Sequence, residues 1–413
     1  MKRRVVVIGG GAAGLMAAGC AARRGLDVLI LDKNYRPGRK LMITGKGRCN
    51  LTNNCDVQTL IANTVHGGKF LYSAFSAFGP AETMAFFESL GVPLKTERGR
   101  RVFPVSDRAA DIVDALKRFA VGSGALYKTA EAADIITENG AVAGVLTAGG
   151  EKIYADAAIV CTGGLSYPST GSTGDGYALA RKAGHSVTPL VPSLVPLTMR
   201  EGWCRTLQGL SLKNVAVKLI KAGVKKPVFS ELGEMLFTHY GVSGPLVLSA
   251  SAHIDDIKSG EYQLHIDLKP ALDEKKLYDR INRDLTKYSA KSMENAMVDL
   301  LPHRMIQVVL RLAGIPAGTR ACDMTREYRL SLANTLKGMV ISIKDYLGYD
   351  EAVITRGGVS LKELDPKTMP SRKVHGLAFA GEVIDADAYT GGYNLQIAFS
   401  TGHAAGEHIL ENT

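Results

Sequence analysis

The sequence predicts an α/β protein: a discontinuous Rossmann-like domain, completed by the C-terminus, with a β-rich module and a helical segment inserted into it. Three observations predict this. Gly9-x-Gly11-x-x-Gly14 stands between the β-branched run Val5 to Ile8 and an alanine-rich helix, which is the dinucleotide-binding arrangement. Beyond the proline-dense stretch "LVPSLVPL" (190–197), residues 215–219 and 261–268 alternate like strands, and 271–335 turns helical and is poor in glycine. The chain then closes on "GLAFAGEVIDADAYTGGYNLQIAFSTGHAAGEHIL", a strand, a loop and a helix. The expected division is 1–190 with 357–413, 191–270 with 336–356, and 271–335.

The first element has a rival reading. Lys2, Arg3 and Arg4 ahead of an uncharged run from Val5 to Ala22, with Ala17-Ala18-Gly19-Cys20 at its end, resemble an export signal with a lipoprotein-type cleavage site. Five glycines in that run argue against it, since each costs about 1 kcal/mol in a helix interior. In the Rossmann reading three of them have separate tasks: Gly9 makes the strand-to-helix turn, Gly11 admits a pyrophosphate, and Gly14 lets the helix press on the strands. The helix N-terminus supplies free N–H groups and positive dipole. Arg23, Arg24 and Gly25 close the helix, Val28 to Leu31 form the next strand, and Asp32 stands where an acidic residue should hold ribose hydroxyls.

Composition bounds the rest. A chain of 413 residues with 46% hydrophobic and 22% charged residues is an ordinary globular composition with room for two or three domains. No other uncharged stretch approaches membrane-spanning length. The six cysteines form no CxxC and no zinc-like pairing, and Cys49 and Cys55 have five residues between them; a reducing cytoplasm is expected, with no metal. The net charge of +10 raises the question of nucleic acid. The basic residues are nevertheless spread along the chain, so a solvated surface plus an anionic cofactor accounts for the charge without a nucleic-acid partner.

Further elements follow in order. Ala81 to Leu90 and Arg108 to Ala120 read as amphipathic helices, the second with Ser106 or Asp107 as N-cap. Residues 130–158 read as an antiparallel meander with turns at Asn139-Gly140 and Gly149-Gly150. It runs into the apolar strand of "AAIVCTGG", which suits a buried parallel strand. "MVISI" and "EAVIT" are strand-like, and the last helix carries Leu395, Ala398, Phe399, Gly402 and Ile409 on one face. Between Arg36 and Asn54, five cationic residues and three glycines suit a loop wrapped around an anion.

"GRK", "TGKGRCNLTN", "FPVSDRA", "GGLSYPSTGSTGDGY", "GEMLFTHYGVSGP", "TRGGVSL" and "GEVIDADAYTGGYNLQIAFSTG" occur in that order. With these motifs the chain resembles the BaiN/YhiN-like family of FAD-dependent oxidoreductases, differing from many members in having Lys46 where they have glycine. The resemblance implies FAD in the Rossmann-like domain, a β-barrel-like domain and a helical domain. It implies that Gly9, Gly11, Ala12, Ala13 and Gly14 meet the pyrophosphate, with Asp32 and Lys33 at the adenosine ribose. Arg39, Lys40, Gly45, Gly47, Arg48, Cys49 and Asn50 would border the cofactor, with Thr162 and Gly163 on the adenylate side. Glu382, Asp385, Gly392, Tyr393, Asn394 and Gln396 would approach the ribityl chain and flavin. A helix starting at Gly391-Gly392-Tyr393 would aim its N-terminal dipole at the flavin edge where charge collects on reduction.

The expected reaction takes hydride from NAD(P)H and reduces a C=C bond conjugated to a ketone in a small molecule, with a 3-oxo steroid of the bile-acid type as substrate. The proton donor is sought among Tyr167, His239 and Tyr240; for each, the alternative is a ring that serves packing. Two other readings keep the flavin: an oxidase of a small amine or aminoketone, and an RNA-modifying or RNA-binding protein, the latter suggested by the charge.

Overall fold

A computed structural model describes residues 2–257 and 261–411. The chain divides into two compact units, Met1–Ser193 with Gly348–Thr413, and Leu194–Leu347. In the first unit a five-stranded parallel sheet is built from β1 (Arg4–Ile8), β2 (Asp27–Asp32), β3 (Leu126–Thr129), β4 (Ala157–Val160) and β5 (Leu377–Phe379), in the order β5-β4-β1-β2-β3. The segment with the export-like pattern therefore supplies the central strand. Val5 and Val7 join one apolar core and Val6 and Ile8 the other, because successive strand residues point to opposite faces.

Helix α1 (Ala12–Arg23) and the C-terminal helix α2 (Tyr393–His408) pack in the same core on one side of this sheet. Their approach is limited by backbone rather than by side chains. A Cβ on Gly402 would stand 2.5 Å from the Ala13 carbonyl oxygen, and one on Gly406 would collide with the Ala17 carbonyl. The expected meander is an antiparallel sheet of 132–138, 141–147 and 152–154, with left-handed Asn139 and Gly140 at its first turn. The helix Ala109–Gly122 has no side-chain N-cap. Asp107 is left-handed instead, and its carboxylate holds Arg48 and Lys95.

In the second unit six strands, 197–199, 241–243, 229–237, 211–221, 262–267 and 339–346, close into a barrel in that order. Helices Glu274–Lys287, His303–Leu312 and Arg326–Lys337 share the barrel's core rather than building one of their own. Residues 191–193 and 348–356, expected with the β-rich part, belong to the first unit. There Val191–Ser193 pairs antiparallel with Ile354–Arg356, so the second strand starts later than "EAVIT" suggested. Among the described residues no helix is long and apolar enough to cross a membrane.

The glycine contact between α1 and α2 makes a prediction. Gly402→Val should lower unfolding stability by about 1–3 kcal/mol, read as a lower urea midpoint at unchanged slope. Gly122→Ala, where an added Cβ meets nothing within 4 Å, should not lower it.

Candidate functional site

A cavity of about 390 Å³ lies wholly within the first unit, inside the usual range of ligand pockets. Its floor is the strand–turn–helix from β1 to α1. Gly9 has φ +104, and a Cβ there would stand 2.5 Å from the Cys161 carbonyl oxygen, so the turn admits only glycine. A Cβ on Gly14 would collide with the Gly9 carbonyl, whereas one on Gly11 meets nothing within 4 Å. Gly11 thus faces open cavity.

Asp32 at the end of β2 accepts from the backbone N–H of Gly10 at 2.6 Å and of Asn34 at 2.7 Å. These bonds orient its carboxylate at the cavity rim while leaving lone pairs for a hydroxyl. At the opposite wall the chain turns through Gly391 (φ +127) and Gly392 (φ +99) into α2. Asn394 clamps the loop before it, accepting from Ala388 N at 2.8 Å and donating to Ala388 O at 2.7 Å. Residues of both helix N-termini, Gly11, Ala12 and Ala13 of one and Gly391, Gly392 and Asn394 of the other, therefore line one cavity. Two positive dipole ends favour a ligand that is anionic or gains negative charge.

The side-chain charges are mostly balanced. Lys40 Nζ lies 2.5 Å from both the Glu382 carboxylate and the Ser166 hydroxyl, and Ser166 Oγ donates to Glu382 at 2.7 Å. Thr355 N donates to the same carboxylate at 2.9 Å, and the Thr355 hydroxyl accepts from Leu165 N and Ser166 N. Lys33 pairs with Asp175 at 2.5 Å. Among the described residues the hydrogen-bond partner of the Arg39 side chain is the neutral Asn34 Oδ1, at 2.8 Å, which leaves a cation at the cavity wall. Asn50 Oδ1 and Thr162 Oγ1 are buried in the lining without a hydrogen-bond partner. Such orphans cost about 1–3 kcal/mol each, a cost that a ligand hydrogen-bonding to them would remove.

Of the residues expected around a cofactor, Gly9, Gly11, Ala12, Ala13, Asp32, Lys33, Arg39, Lys40, Gly45, Asn50, Thr162, Gly163, Glu382, Gly392 and Asn394 line this cavity. Gly14, Gly47, Arg48, Cys49, Asp385, Tyr393 and Gln396 are not in the lining. Gly14 lies beneath the turn. Arg48 bonds Glu97 and Asp107 and stacks 4.2 Å over the Phe103 ring. Cys49 is fully buried, which pushes its thiol up to about 12. Gln396, also fully buried, accepts from Thr52 and donates to Phe78 O, Thr83 and Ser400. Burial raises the carboxyl of Asp385 and the phenol of Tyr393.

Tyr167 is left-handed (φ +52), follows Ser166 directly, and has its phenol raised by burial and by Glu351. His239 and Tyr240 belong to the other unit, where their rings pack edge to face at 4.7 Å. The sequence reading missed Asn34 and Thr390 in the lining, and Ser166 and Thr355 behind the ion pair. "GGLSYPSTG" and "TRGGVSL" contain the last two, but nothing in either motif says that they meet. Cys20, His403 and Glu407 also come within 4.8 Å of one another. Burial, with Glu407 beside it, raises the Cys20 thiol.

The Gly11 geometry separates binding from folding. Gly11→Val should leave the apo-protein's urea midpoint unchanged and reduce cofactor content per chain at least about tenfold, read by absorbance. Gly14→Ala should instead destabilise the fold by about 1–3 kcal/mol.

The comparisons with known proteins follow the same lines. Residues 3–408 match the model described as "HI0933-like protein Rossmann domain". The chain is 33% identical over 99% of its length to the 3-dehydro-bile acid delta(4,6)-reductase of Clostridium scindens, covering 99% of that protein. It is 32% identical over 98% of its length to the ribosomal RNA dihydrouridine synthase of Escherichia coli, covering 97% of that protein. Among solved structures it superposes on the 3-ketosteroid-delta4-(5alpha)-dehydrogenase of Rhodococcus jostii with a TM-score of 0.52, at 15% identity, covering 100% of this chain and 97% of that one, a likeness of fold. With a match that spans nearly its whole length, the chain belongs to the HI0933-like, BaiN/YhiN-like family of FAD-binding Rossmann-domain proteins.

Proposed function

We propose that this protein is an FAD-dependent reductase that draws hydride from NAD(P)H and adds it to a C=C bond conjugated to a carbonyl. The observation that carries the reading is the cavity with two helix N-termini, an oriented Asp32 and two orphaned polar atoms, in a chain whose full-length relatives are named for such reductions. Making dihydrouridine saturates a ring C=C next to a carbonyl. A delta(4,6)-reductase of a 3-dehydro compound does the same in a steroid frame.

The residues divide the work. Gly9 to Gly11 and the α1 N-terminus take the pyrophosphate, Asp32 accepts from the ribose, and Arg39 adds a cation to the phosphate side. Bound FAD supplies the hydride chemistry. The α2 N-terminus at Gly392 would favour negative charge on a group held against it. Lys40, Ser166 and Glu382 hold one another and keep that wall rigid. Tyr167 lies outside the cavity lining, in the segment between lining residues Gly163 and Thr170; its phenol is raised by burial and by Glu351, and it is the donor we assign to the carbon next to the carbonyl.

Two substrates suit this chemistry. A 3-oxo steroid of the bile-acid type is the first. Uridine within RNA is the second, and the chain's net charge of +10 favours it, because a basic surface attracts a polyphosphate.

Anaerobic stopped-flow tests the reaction. NADH or NADPH should bleach the flavin, and a 3-oxo-4,6-diene steroid or a uridine-containing RNA should restore its colour. A flavin that neither nucleotide bleaches overturns the reductase reading, and in a separate assay under air, peroxide formed from oxygen with an amine and no pyridine nucleotide points to the oxidase. Tyr167→Phe should leave the bleaching step unchanged and slow reoxidation by the acceptor about 100-fold. An unchanged reoxidation rate removes Tyr167 from the role.

A further inference from the structure

One exposed feature beside the cavity has no part in holding a cofactor. The strand Leu94–Glu97 reverses through a single 3₁₀ turn, Arg98–Arg100, into the strand Arg101–Pro104. Gly99 (φ +76) and Arg100 (φ +58) are both left-handed, a tight reversal that projects consecutive side chains outward. Arg98, Arg100 and Arg101 are all exposed. Among the described residues no carboxylate lies within ion-pair distance of any of the three, although neighbouring Lys95 and Arg48 are both paired with Glu97 and Asp107. Glu97 and Asp107 are thus spent on other partners, and Asp56 acts on Arg100 electrostatically without forming an ion pair with it.

The turn is also anchored to the cavity wall. The side-chain amide of Asn53 donates to Gly99 O at 3.0 Å and to Gly391 O at 3.1 Å, bridging the tip of the turn and the lining loop before α2. Asn54 N donates to Arg100 O at 2.7 Å, and Arg101 Nε donates to Arg98 O at 3.0 Å. Arg100 is close enough to Tyr393, the first residue of α2, to act on its phenol electrostatically. Three guanidinium groups are therefore held on a braced turn next to the end of the cavity where α2 begins. Planar, always-charged guanidinium groups bind phosphate through paired N–H donors.

We propose that the Arg98-Gly99-Arg100-Arg101 turn is the element that grips the sugar–phosphate backbone of an RNA substrate and places its target base at the cavity. This rests on the RNA reading of the proposed function. A bile-acid steroid offers these arginines a single terminal carboxylate, whereas a nucleotide whose base enters the cavity leaves several flanking phosphates outside it.

The test compares the wild-type holoenzyme with R98Q/R100N and with K225Q/K226Q, which removes the same charge from exposed lysines elsewhere. Binding of a labelled uridine-containing RNA fragment is measured by fluorescence anisotropy over a salt series. Flavin content and bleaching by NAD(P)H, which should match wild type, report that each variant is folded. R98Q/R100N should bind about tenfold more weakly, and its slope of log affinity against log salt should be shallower by about 1.4, the loss of two single-strand phosphate contacts. K225Q/K226Q should stay near wild type. If wild type binds RNA and R98Q/R100N binds with the same affinity and slope, or if both variants weaken equally, the assignment to this turn is overturned and the RNA reading stands. Wild type that shows no salt-sensitive binding overturns the RNA reading, and this inference with it.

Discussion

The site depends on one steric constraint, the backbone-to-backbone contact of α1 with its neighbours. Gly14 lets the first turn of α1 sit against the Gly9 carbonyl, and Gly402 and Gly406 let α2 lie against Ala13 and Ala17. A helix approached this closely on two sides cannot slide or rotate, because any side chain at these positions would collide with a carbonyl oxygen. The consequence is functional. With α1 and α2 locked together, the N-termini of both open on the same cavity, and two dipole ends act on one ligand.

Electrostatics then divides the surroundings into neutralised and free charge. Lys40 is held by Glu382 and Ser166, Lys33 by Asp175, and Arg48 by Glu97 and Asp107. The first two pairs lie at the cavity wall and the third outside it. Arg39 in the lining and the three arginines of the 98–101 turn keep their charge. The net +10 of the chain is thus less informative than its distribution, since a phosphate can exploit only those cations that no carboxylate already holds.

Local pattern made much of this legible. The phosphate turn, Asp32 at the end of β2, the closing helix behind Gly391-Gly392 and the helical segment before the last barrel strand all follow from spacing, glycine placement and hydrophobic period. The loop 36–54 was harder. Its composition marked an anion-binding stretch, yet Lys40, Gly45 and Asn50 face the cavity while Arg48 turns to Glu97 and Asp107 and Cys49 is buried. Alternation of that kind depends on left-handed residues at Gly45, Lys46, Gly47 and Cys49, and no periodic rule predicts which way each side chain points. Gln396 has the same lesson: it follows an N-terminal glycine pair as a cofactor ligand would, but one helical turn rotates it into the core.

What the sequence determined by itself was therefore the set of local devices: a strand–glycine turn–helix that can bind phosphate, an acidic strand end, and a glycine-led second helix. These are properties of a few consecutive residues and survive without their surroundings. Tertiary structure alone decided that the two helix ends share one cavity, that Ser166 and Thr355 lock Lys40 to Glu382, and that Asn53 joins the arginine turn to Gly391. Each of these links residues far apart in the chain, and such contacts exist only once packing around the glycine-lined helices has brought the segments together.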